Sequence, residues 1–349
     1  MSVPERVLEA VTNEPKHREP LMDNVKAALI LLVVIGHFIS ANKQNPFVMR
    51  WLYTVVYLFH MPLFVLVSGY FAKSVYQNGR YRYKRILSTL LAYLFFQLIY
   101  AITFAAFGRF NMGDMLLFTQ TDAQWYLMAL MMWYLCLPFF QRIKPAIALP
   151  ATVVLALLSG YVTNTYFLSL TRVVNFLPYF LAGYYLSLYG KNIMSWLNNK
   201  WVRILSAICA CAVAVGVGLY LRYVGSIPYL YRDISYANAT DILTRVFNGA
   251  CAVALGLGFF AVCPRRKMLI TYLGARTMQV YVYHIIVYYI LVFSGAFETM
   301  LTWSVLIRCL LVPVGLTLLL SLKLFCYPFR WFDRLDPQRF LIVDNNCDE

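Results

Sequence analysis

Long apolar segments separated by short polar connections dominate this chain. Ten of them approach the roughly 20 residues that an α-helix needs to cross a bilayer. The segments are 21–41, 52–72, 86–107, 123–140, 146–163, 172–190, 203–222, 242–263, 269–293 and 301–327. The pattern predicts an all-α fold, a polytopic integral membrane bundle of about ten transmembrane helices.

The connections between these segments are too short to form a soluble domain. We therefore expect one transmembrane domain, 21–328, between two cytoplasmic tails, 1–20 and 329–349. The connections 108–122 and 223–241 are long enough to fold over the mouth of a site. The first apolar run is too long for the hydrophobic region of a signal peptide, so we expect it to remain as an anchor.

Composition supports the membrane assignment. The chain is 61% hydrophobic and 13% charged, whereas soluble proteins are about 45–50% apolar and about 25% charged. Most of the surface is therefore expected to contact the lipid bilayer.

The distribution of the basic residues predicts the orientation. The formal net charge is +15, but the cations lie mostly between apolar segments and not along one soluble face, which argues against a nucleic-acid partner. With the N-terminus inside, 19 Lys and Arg residues fall on the cytoplasmic side and seven on the other. The positive-inside rule then places both termini in the cytoplasm.

The first apolar segment, DNVKAALILLVVIGHFIS, carries ionisable residues on one face. Lys26 and His37 are eleven residues apart, which is three helical turns plus about 20° and about 16 Å along the axis. Asp23 lies about 40° from the same stripe. Ionisable residues in a span usually face the protein interior or a wet cavity and mark function. A tunnel along this face would explain them, with His37 as a general base; a structural histidine is the alternative.

The second segment, YLFHMPLFVLVSGYF, contains a proline and further polar groups. Pro62 cannot donate to the carbonyl of Leu58, so we expect a kink there, and His60 lies beside it. His60 is either functional or a cap for the freed carbonyl. Ser68 and Tyr70 offer hydroxyl groups to a site, or form hydrogen bonds between helices.

A basic connection, KSVYQNGRYRYKRIL, follows the second segment. Arg82 and Arg85 share one helical face if the third helix has begun at this point. Arginine forks bind phosphate well. The alternative is ordinary positive-inside charge in contact with lipid headgroups.

The remaining signals are weaker or absent. His284, Arg276, Trp125 and Tyr126 are polar or aromatic groups at positions where interior packing or an aromatic belt is the usual role. The eight cysteines have no CxxC spacing and predict no metal or disulfide framework. No P-loop, GxGxxG, HExxH or GxSxG motif is present.

Taken together, these residues resemble the membrane acyltransferase-3 superfamily, the bacterial O-acyltransferases of surface glycans. Lys26 and His37 match its Arg/Lys-x10-His motif, and Arg82 and Arg85 match its Arg-x-x-Arg motif. FHMPLFVLVSGYF, WYLMALMMWYLCLPFF, FLPYFLAGYYL and YLGARTMQVYVYH are similar to its other segments, and the last three look most like the fucose-4-O-acetylase-like branch. The resemblance runs from residue 21 to about 290. The family allows lysine at the Arg/Lys position, but a lysine ammonium group cannot form the bidentate hydrogen bonds of an arginine.

The resemblance implies a ten-helix bundle in the cytoplasmic membrane of a bacterium, with acetyl-CoA as acyl donor, a carbohydrate as acceptor and no metal. The phosphates of acetyl-CoA would meet Arg82, Arg85 and Lys26. His37 would take the proton of the acceptor hydroxyl.

Three further residues complete the implied site. His60 or Tyr70 would donate to the oxyanion, and Ser68 and Tyr70 would line the path of the donor.

Two other functions remain open from the sequence. A secondary transporter or exporter of glycan precursors would also bury ionisable groups, but no pair of broken helices occurs in corresponding halves. A regulatory protein that has kept the fold and lost the activity is the third interpretation, against which the retained His37 argues.

Overall fold

The computed structural model describes residues 20–40, 47–77, 79–110, 123–162, 167–230, 235–296, 304 and 307–335. The two predicted tails lie outside this part of the chain, except for residue 20 and residues 329–335. The helices are α1 (Pro20–Ser40), α2 (Phe47–Ala72), α3 (Tyr83–Ala106), α4 (Trp125–Gln141), α5 (Pro145–Leu158), α6 (Leu170–Tyr189), α7 (Lys191–Asn198), α8 (Lys200–Tyr223), α9 (Asp241–Val262), α10 (Leu269–Gly274), α11 (Thr277–Phe293), α12 (Val312–Leu320) and α13 (Tyr327–Phe332).

The all-α membrane class is confirmed. Five helices, α1, α2, α3, α8 and α9, are long and apolar enough to cross a membrane. A sixth span arises if Ile307–Leu320 and Lys323–Phe332, which meet at 60°, are one broken crossing. Apolar helices at Trp125–Gln141, Pro145–Tyr161 and Thr277–Phe293 are shorter. The total of about ten crossings therefore stays a prediction.

Helices α1 and α2 form the centre of the bundle. Both are mostly buried, whereas α8 is mostly exposed, as expected of a helix at the lipid boundary. Helix α1 packs against α2, α10, α11 and α12, and α2 packs against α6 and α9. Helix α2 is continuous through Pro62, and the expected kink at that proline stays a prediction.

Two glycines let α2 and α6 meet backbone to backbone. A Cβ atom on Gly69 would lie 1.9 Å from the carbonyl oxygen of Phe180, and one on Gly183 would lie 1.8 Å from that of Leu66. Small residues permit such close approach between membrane helices, where dispersion replaces the hydrophobic effect as the driving force. The crossing fixes the turn of α2 that carries Ser68 and Tyr70.

The first turn of α1 is fixed by a distant part of the chain. The amide of Asn24 donates to the carbonyl oxygens of Pro264 (2.8 Å) and Arg266 (3.0 Å), and Thr271 donates to its oxygen at 2.6 Å. A Cβ atom on Gly274 would lie 2.0 Å from the carbonyl oxygen of Asp23. Asp23 and Lys26 are therefore held in a defined position.

Three features differ from the sequence-based prediction. The segment 269–293 is broken between α10 and α11, because the chain turns at Ala275 and Arg276. Helix α7 occupies a predicted connection; none of its residues is buried, and it exposes Ile193 and Trp196, as an interfacial helix does. A two-stranded hairpin, β1 (Tyr76–Gln77) and β2 (Arg80–Tyr81), occupies the basic connection before α3.

The glycine crossing yields a test of stability. We expect Gly69→Ala and Gly183→Ala each to lower the free energy of unfolding by about 1–3 kcal/mol, because a methyl group has no room there. Thermal unfolding in detergent, followed by size-exclusion chromatography, measures the effect. Gly216→Ala is the matched control, since nothing lies within 4 Å of its added Cβ atom. Equal stability of all three variants would contradict the backbone contact.

Candidate functional site

A large cavity opens beside the first turns of α1 and α3. It has a volume of about 720 Å³ and is here called the basic cavity. Five cations line it, namely Lys26, Lys73, Arg85, Arg276 and Arg330, together with the carboxylates of Asp23 and Asp333. The excess of positive charge and the volume suit an anionic organic ligand.

Lys26 faces the basic cavity from α1. Its ammonium group lies 2.7 Å from Oδ1 of Asp23, which is almost fully buried, and 4.4 Å from the ring centre of Phe71. The ion pair and the aromatic face hold the cation in place within the bundle. Lys26 is therefore a positioned charge and not a mobile surface lysine.

The two arginines of the basic connection occupy different places. Arg85 lines the cavity together with Tyr134. Arg82 is exposed and lies at the N-cap of α3 with non-helical backbone angles. The helix begins only at Tyr83, so Arg82 does not share a helical face with Arg85 and is not among the described residues that line the cavity.

Two further arginines reach the cavity through breaks in helices. The break between α10 and α11 places Arg276 there, where it donates to the carbonyl oxygen of Ser321 at 2.9 Å and lies 3.7 Å from the ring centre of Tyr272. The bend before α13 brings in Arg330. One signal for the first break is visible in the sequence, because Gly274 interrupts a helical pattern.

Ser68 and Tyr70 also line the basic cavity. Ser68 donates to the carbonyl oxygen of Phe64 at 2.8 Å and lies 2.6 Å from the hydroxyl oxygen of Tyr126. A serine hydroxyl has one proton, so Ser68 accepts from Tyr126 when it donates to Phe64. Tyr126, which the sequence suggested as part of an aromatic belt, is instead almost fully buried at the end of the cavity.

A second, smaller cavity contains both candidate histidines. This histidine pocket has a volume of about 130 Å³. His37 and His60 line it together with Val33, Tyr57, Met61, Ala123, Trp125, Arg172, Phe176, Leu230 and Tyr281. The sequence predicted that Lys26 and His37 share a face of α1, and the two residues do border cavities that follow one another along that helix.

The ring orientation of His60 is fixed by its own helix. Nδ1 of His60 lies 2.7 Å from the carbonyl oxygen of Val56. A carbonyl only accepts, so Nδ1 carries a proton, and Nε2 of the neutral ring is a hydrogen-bond acceptor. The ring therefore bonds the carbonyl one turn back, and not the Leu58 carbonyl that Pro62 leaves without its helical partner.

His37 lies within a group of aromatic rings. Its ring centre is 5.2 Å from that of His284 and 6.2 Å from that of Tyr288. His284 is completely buried, and its Nδ1 lies 3.0 Å from the carbonyl oxygen of Val280. The sequence identified His284 only as a polar group in an apolar span, whereas the fold packs it against the candidate base.

Arg172 supplies a positive charge to the histidine pocket. Its guanidinium carbon lies 5.6 Å from the ring centre of Trp125, which stacks on Phe176 at 5.0 Å. From the sequence, Arg172 is only one of several charges at the end of a span, so its approach to the histidines depends on tertiary packing.

The connection before α9 closes one side of the histidine pocket through Leu230. Next to it, Tyr229 has a positive φ of 63° and donates to Oδ2 of Asp241 at 2.5 Å. The same oxygen accepts from the backbone amides of Ala237 and Asn238, each at 2.9 Å. These bonds hold the connection over the site, as the sequence suggested for 223–241; residues 231–234 lie outside the described residues, as does most of 108–122.

Three aromatic rings separate the two cavities. We call Phe64, Tyr126 and Tyr281 the aromatic partition. Phe64 and Tyr126 line the basic cavity, whereas Tyr281 lines the histidine pocket. The ring of Tyr126 lies 5.3 Å from Phe64 and 5.2 Å from Tyr281. The linings of the two cavities meet at these rings, and a continuous tunnel along α1 stays a prediction.

The two neighbouring cavities offer two different kinds of chemistry. The basic cavity can hold a multiply charged anion, and the histidine pocket offers imidazole bases beside a guanidinium group. A group carried on a bound anion would need to cross only the aromatic partition to reach the histidines.

Comparisons with known proteins show the family of this chain. A family model described as an acyltransferase domain matches residues 20–332. Nodulation protein NolL of Sinorhizobium fredii (strain NBRC 101917 / NGR234) is 26% identical over a 255-residue alignment, which covers 68% of this chain and 67% of that protein. No solved structure matches the chain. The chain is therefore a membrane protein of the acyltransferase-3 superfamily.

Proposed function

We propose that the protein transfers an acetyl group from cytoplasmic acetyl-CoA to a hydroxyl of a cell-surface or lipid-linked carbohydrate. The observation that carries the proposal is the succession of a basic cavity and a histidine pocket along one helix, α1, in a chain of an acyltransferase family. A donor with a charged head and a reactive thioester end fits that succession.

The residues of the basic cavity suit the charged part of acetyl-CoA. Five cations face two carboxylates there, and a phosphate-rich ligand would supply the missing negative charge. Arg85 presents a planar fork, while Lys26 acts as a point charge. Part of the cavity lining is apolar and suits the uncharged pantetheine arm of acetyl-CoA; it consists of Phe71, Ala92 and Leu130.

His37 is proposed to act as the general base. It would take the proton of the acceptor hydroxyl as the oxygen attacks the thioester carbonyl, and would return that proton to the departing sulfur. Such proton transfer typically contributes a rate factor of about 10²–10⁴. The bond to Val56 makes neutral His60 a second acceptor, which argues against His60 as an oxyanion donor.

Arg172 is then the better candidate to stabilise the oxyanion by hydrogen bonding. Its guanidinium group is a permanent donor, and it lines the pocket that holds both histidines. Tyr70 lines the basic cavity instead, beyond the aromatic partition from His37. The charge distribution supports a cytoplasmic basic cavity and an acceptor that approaches from the opposite face, in the cytoplasmic membrane of a bacterium.

Replacement of His37 tests the chemical step. We expect His37→Ala to lower acetyl transfer, or acceptor-independent release of CoA, by about 10²-fold or more. Purified protein in nanodiscs would be supplied with acetyl-CoA, and binding would be measured beside turnover. Full activity of the variant would exclude His37 as the base. Absence of acetyl-CoA binding by the unaltered protein would remove the donor and favour a transporter.

The two arginines of the basic connection provide a matched pair. We expect Arg85→Ala to weaken acetyl-CoA binding by about tenfold or more, the value of one charge-assisted hydrogen bond. Arg82→Ala should weaken it much less, because Arg82 lies outside the cavity lining. Calorimetric titration compares the two dissociation constants. Equal losses would mean that Arg82 turns into the cavity when the donor binds.

Thiol labelling tests the sidedness of the cavities. Cys326 lines the basic cavity, and Leu230 lines the histidine pocket. With every other cysteine replaced by serine, we expect a membrane-impermeant maleimide to reach Cys326 from the cytoplasmic side. Leu230→Cys, in a background without other cysteines, should react from the opposite side. Labelling of both positions from one side would contradict the proposed orientation.

A further inference from the structure

A third cavity shares no lining residue with the basic cavity or the histidine pocket. We call it the apolar groove; it lies between α2, α5, α6, α7 and α9 and has a volume of about 380 Å³. The described residues that line it carry no charge. Tyr189, Ile193 and Val253 are each more than half exposed, so the groove opens on the surface of the bundle. Its volume and lining suit a hydrocarbon chain.

Two arginines converge at one end of the apolar groove. Leu197 and Phe260 line the groove at this end. Arg203 donates from Nε to the carbonyl oxygen of Ala261 at 2.9 Å, and Arg265 donates to the same oxygen at 3.3 Å. Arg265 also donates to the carbonyl oxygen of Leu197 at 3.4 Å. The fold therefore places two guanidinium groups directly beside an apolar lining.

These two cations have only neutral partners. In the part of the chain that the structure describes, neither arginine forms an ion pair, and the two terminal nitrogens of Arg203 have no hydrogen-bond partner. Arg265 donates from Nε to the amide oxygen of Asn198 at 2.8 Å. Burial lowers the pKa of Arg265, and the positive charge of Arg203 lowers it further. An anion that bridges the two guanidinium groups would relieve this repulsion.

Helix α7 places this end of the groove at the membrane surface. None of its residues is buried, and Trp196 and the nearby Trp201 are exposed, as in an aromatic belt. The charge distribution predicts that this connection faces the cytoplasm. Anionic lipids are found in that leaflet, and basic pockets between transmembrane helices on that side bind their head groups. A lipid phosphate at this depth would meet both arginines while its chain enters the groove.

We propose that the apolar groove and the arginine pair form a binding site for an anionic phospholipid. Its phosphate lies between Arg203 and Arg265, and one acyl chain fills the groove. The site is separate from the proposed transfer reaction and does not rest on it. The bound chain also covers the crossing of α2 and α6, because Leu66, which lines the groove, has its carbonyl against Gly183.

Native mass spectrometry of the full chain in detergent measures lipid binding directly. The protein would be titrated with dioleoyl phosphatidylglycerol and with dioleoyl phosphatidylcholine, which has the same chains but no net charge. We expect phosphatidylglycerol to bind at least tenfold more tightly, because its phosphate charge is not compensated by a choline. The double variant Arg203→Ala, Arg265→Ala should lose this preference. Arg203→Gln alone should reduce it at least threefold and serves if the double variant does not fold.

Two further variants separate the head group from the chain. Arg266→Ala with Lys267→Ala removes the same charge from the same connection, but both side chains are exposed and neither is among the described lining residues of any of the three cavities. This control should bind phosphatidylglycerol as the unaltered protein does. Val253→Trp fills the groove without changing the charge and should weaken both lipids at least tenfold. Glycerol phosphate, a head group without chains, should bind far more weakly than the lipid.

Loss of the phosphatidylglycerol preference in the arginine variants and weaker binding in Val253→Trp, with the control unchanged, support the site. Equal affinity of the two lipids for the unaltered protein overturns it, as does equal loss in the control variant. Unchanged binding in Val253→Trp, or equal binding of glycerol phosphate, means a phosphate site without a chain and also overturns it. A lipid-free dimer that Val253→Trp dissociates would place a second copy in the groove instead. Each of these outcomes leaves the proposed transfer reaction standing.

Discussion

The cost of placing charge in hydrocarbon organises this molecule. A lysine, arginine or aspartate at the centre of a transmembrane helix costs about 2.5–3.5 kcal/mol on insertion scales. The chain meets that cost by turning such groups inward. Lys26 pairs with the buried carboxylate of Asp23, and the buried Arg172 lies over the ring of Trp125. Because these groups require an enclosed polar space, the bundle surrounds cavities where a purely apolar core would have closed.

Enclosed cavities also allow the proposed reaction to be divided between two compartments. Helix α1 borders both, and its neighbours seal them with aromatic side chains, which combine large buried area with defined edge-to-face geometry. The rings of Phe64, Tyr126 and Tyr281 lie where the lining of the cavity that holds Lys26 meets the lining of the pocket that holds His37. In the proposed reaction, this separation would protect the thioester from hydrolysis until an acceptor is in place.

The sequence predicted well what depends on periodicity along one helix. Lys26 and His37 share a face of α1 because their spacing is close to three helical turns, and the apolar runs locate the helices. It did not predict that Arg276 and Arg330 join the basic cavity, since both arrive through breaks whose geometry depends on neighbouring helices. The different places of Arg82 and Arg85 depend on where α3 begins. The partition could not be read from sequence, because its rings come from three separate helices.

The contacts of Asn24 have a consequence for how the protein is made. Its side chain donates hydrogen bonds to carbonyl groups that lie 240 and 242 residues later in the chain. At about 5–20 residues per second, synthesis of that interval takes on the order of tens of seconds. During that time the first helix, which carries the proposed catalytic base, sits in the membrane without the partners that fix its end. Until residue 271 has been synthesised, Asn24 lacks these partners, so the turn of α1 that carries Asp23 and Lys26 takes its final position only after about three quarters of the chain has been made.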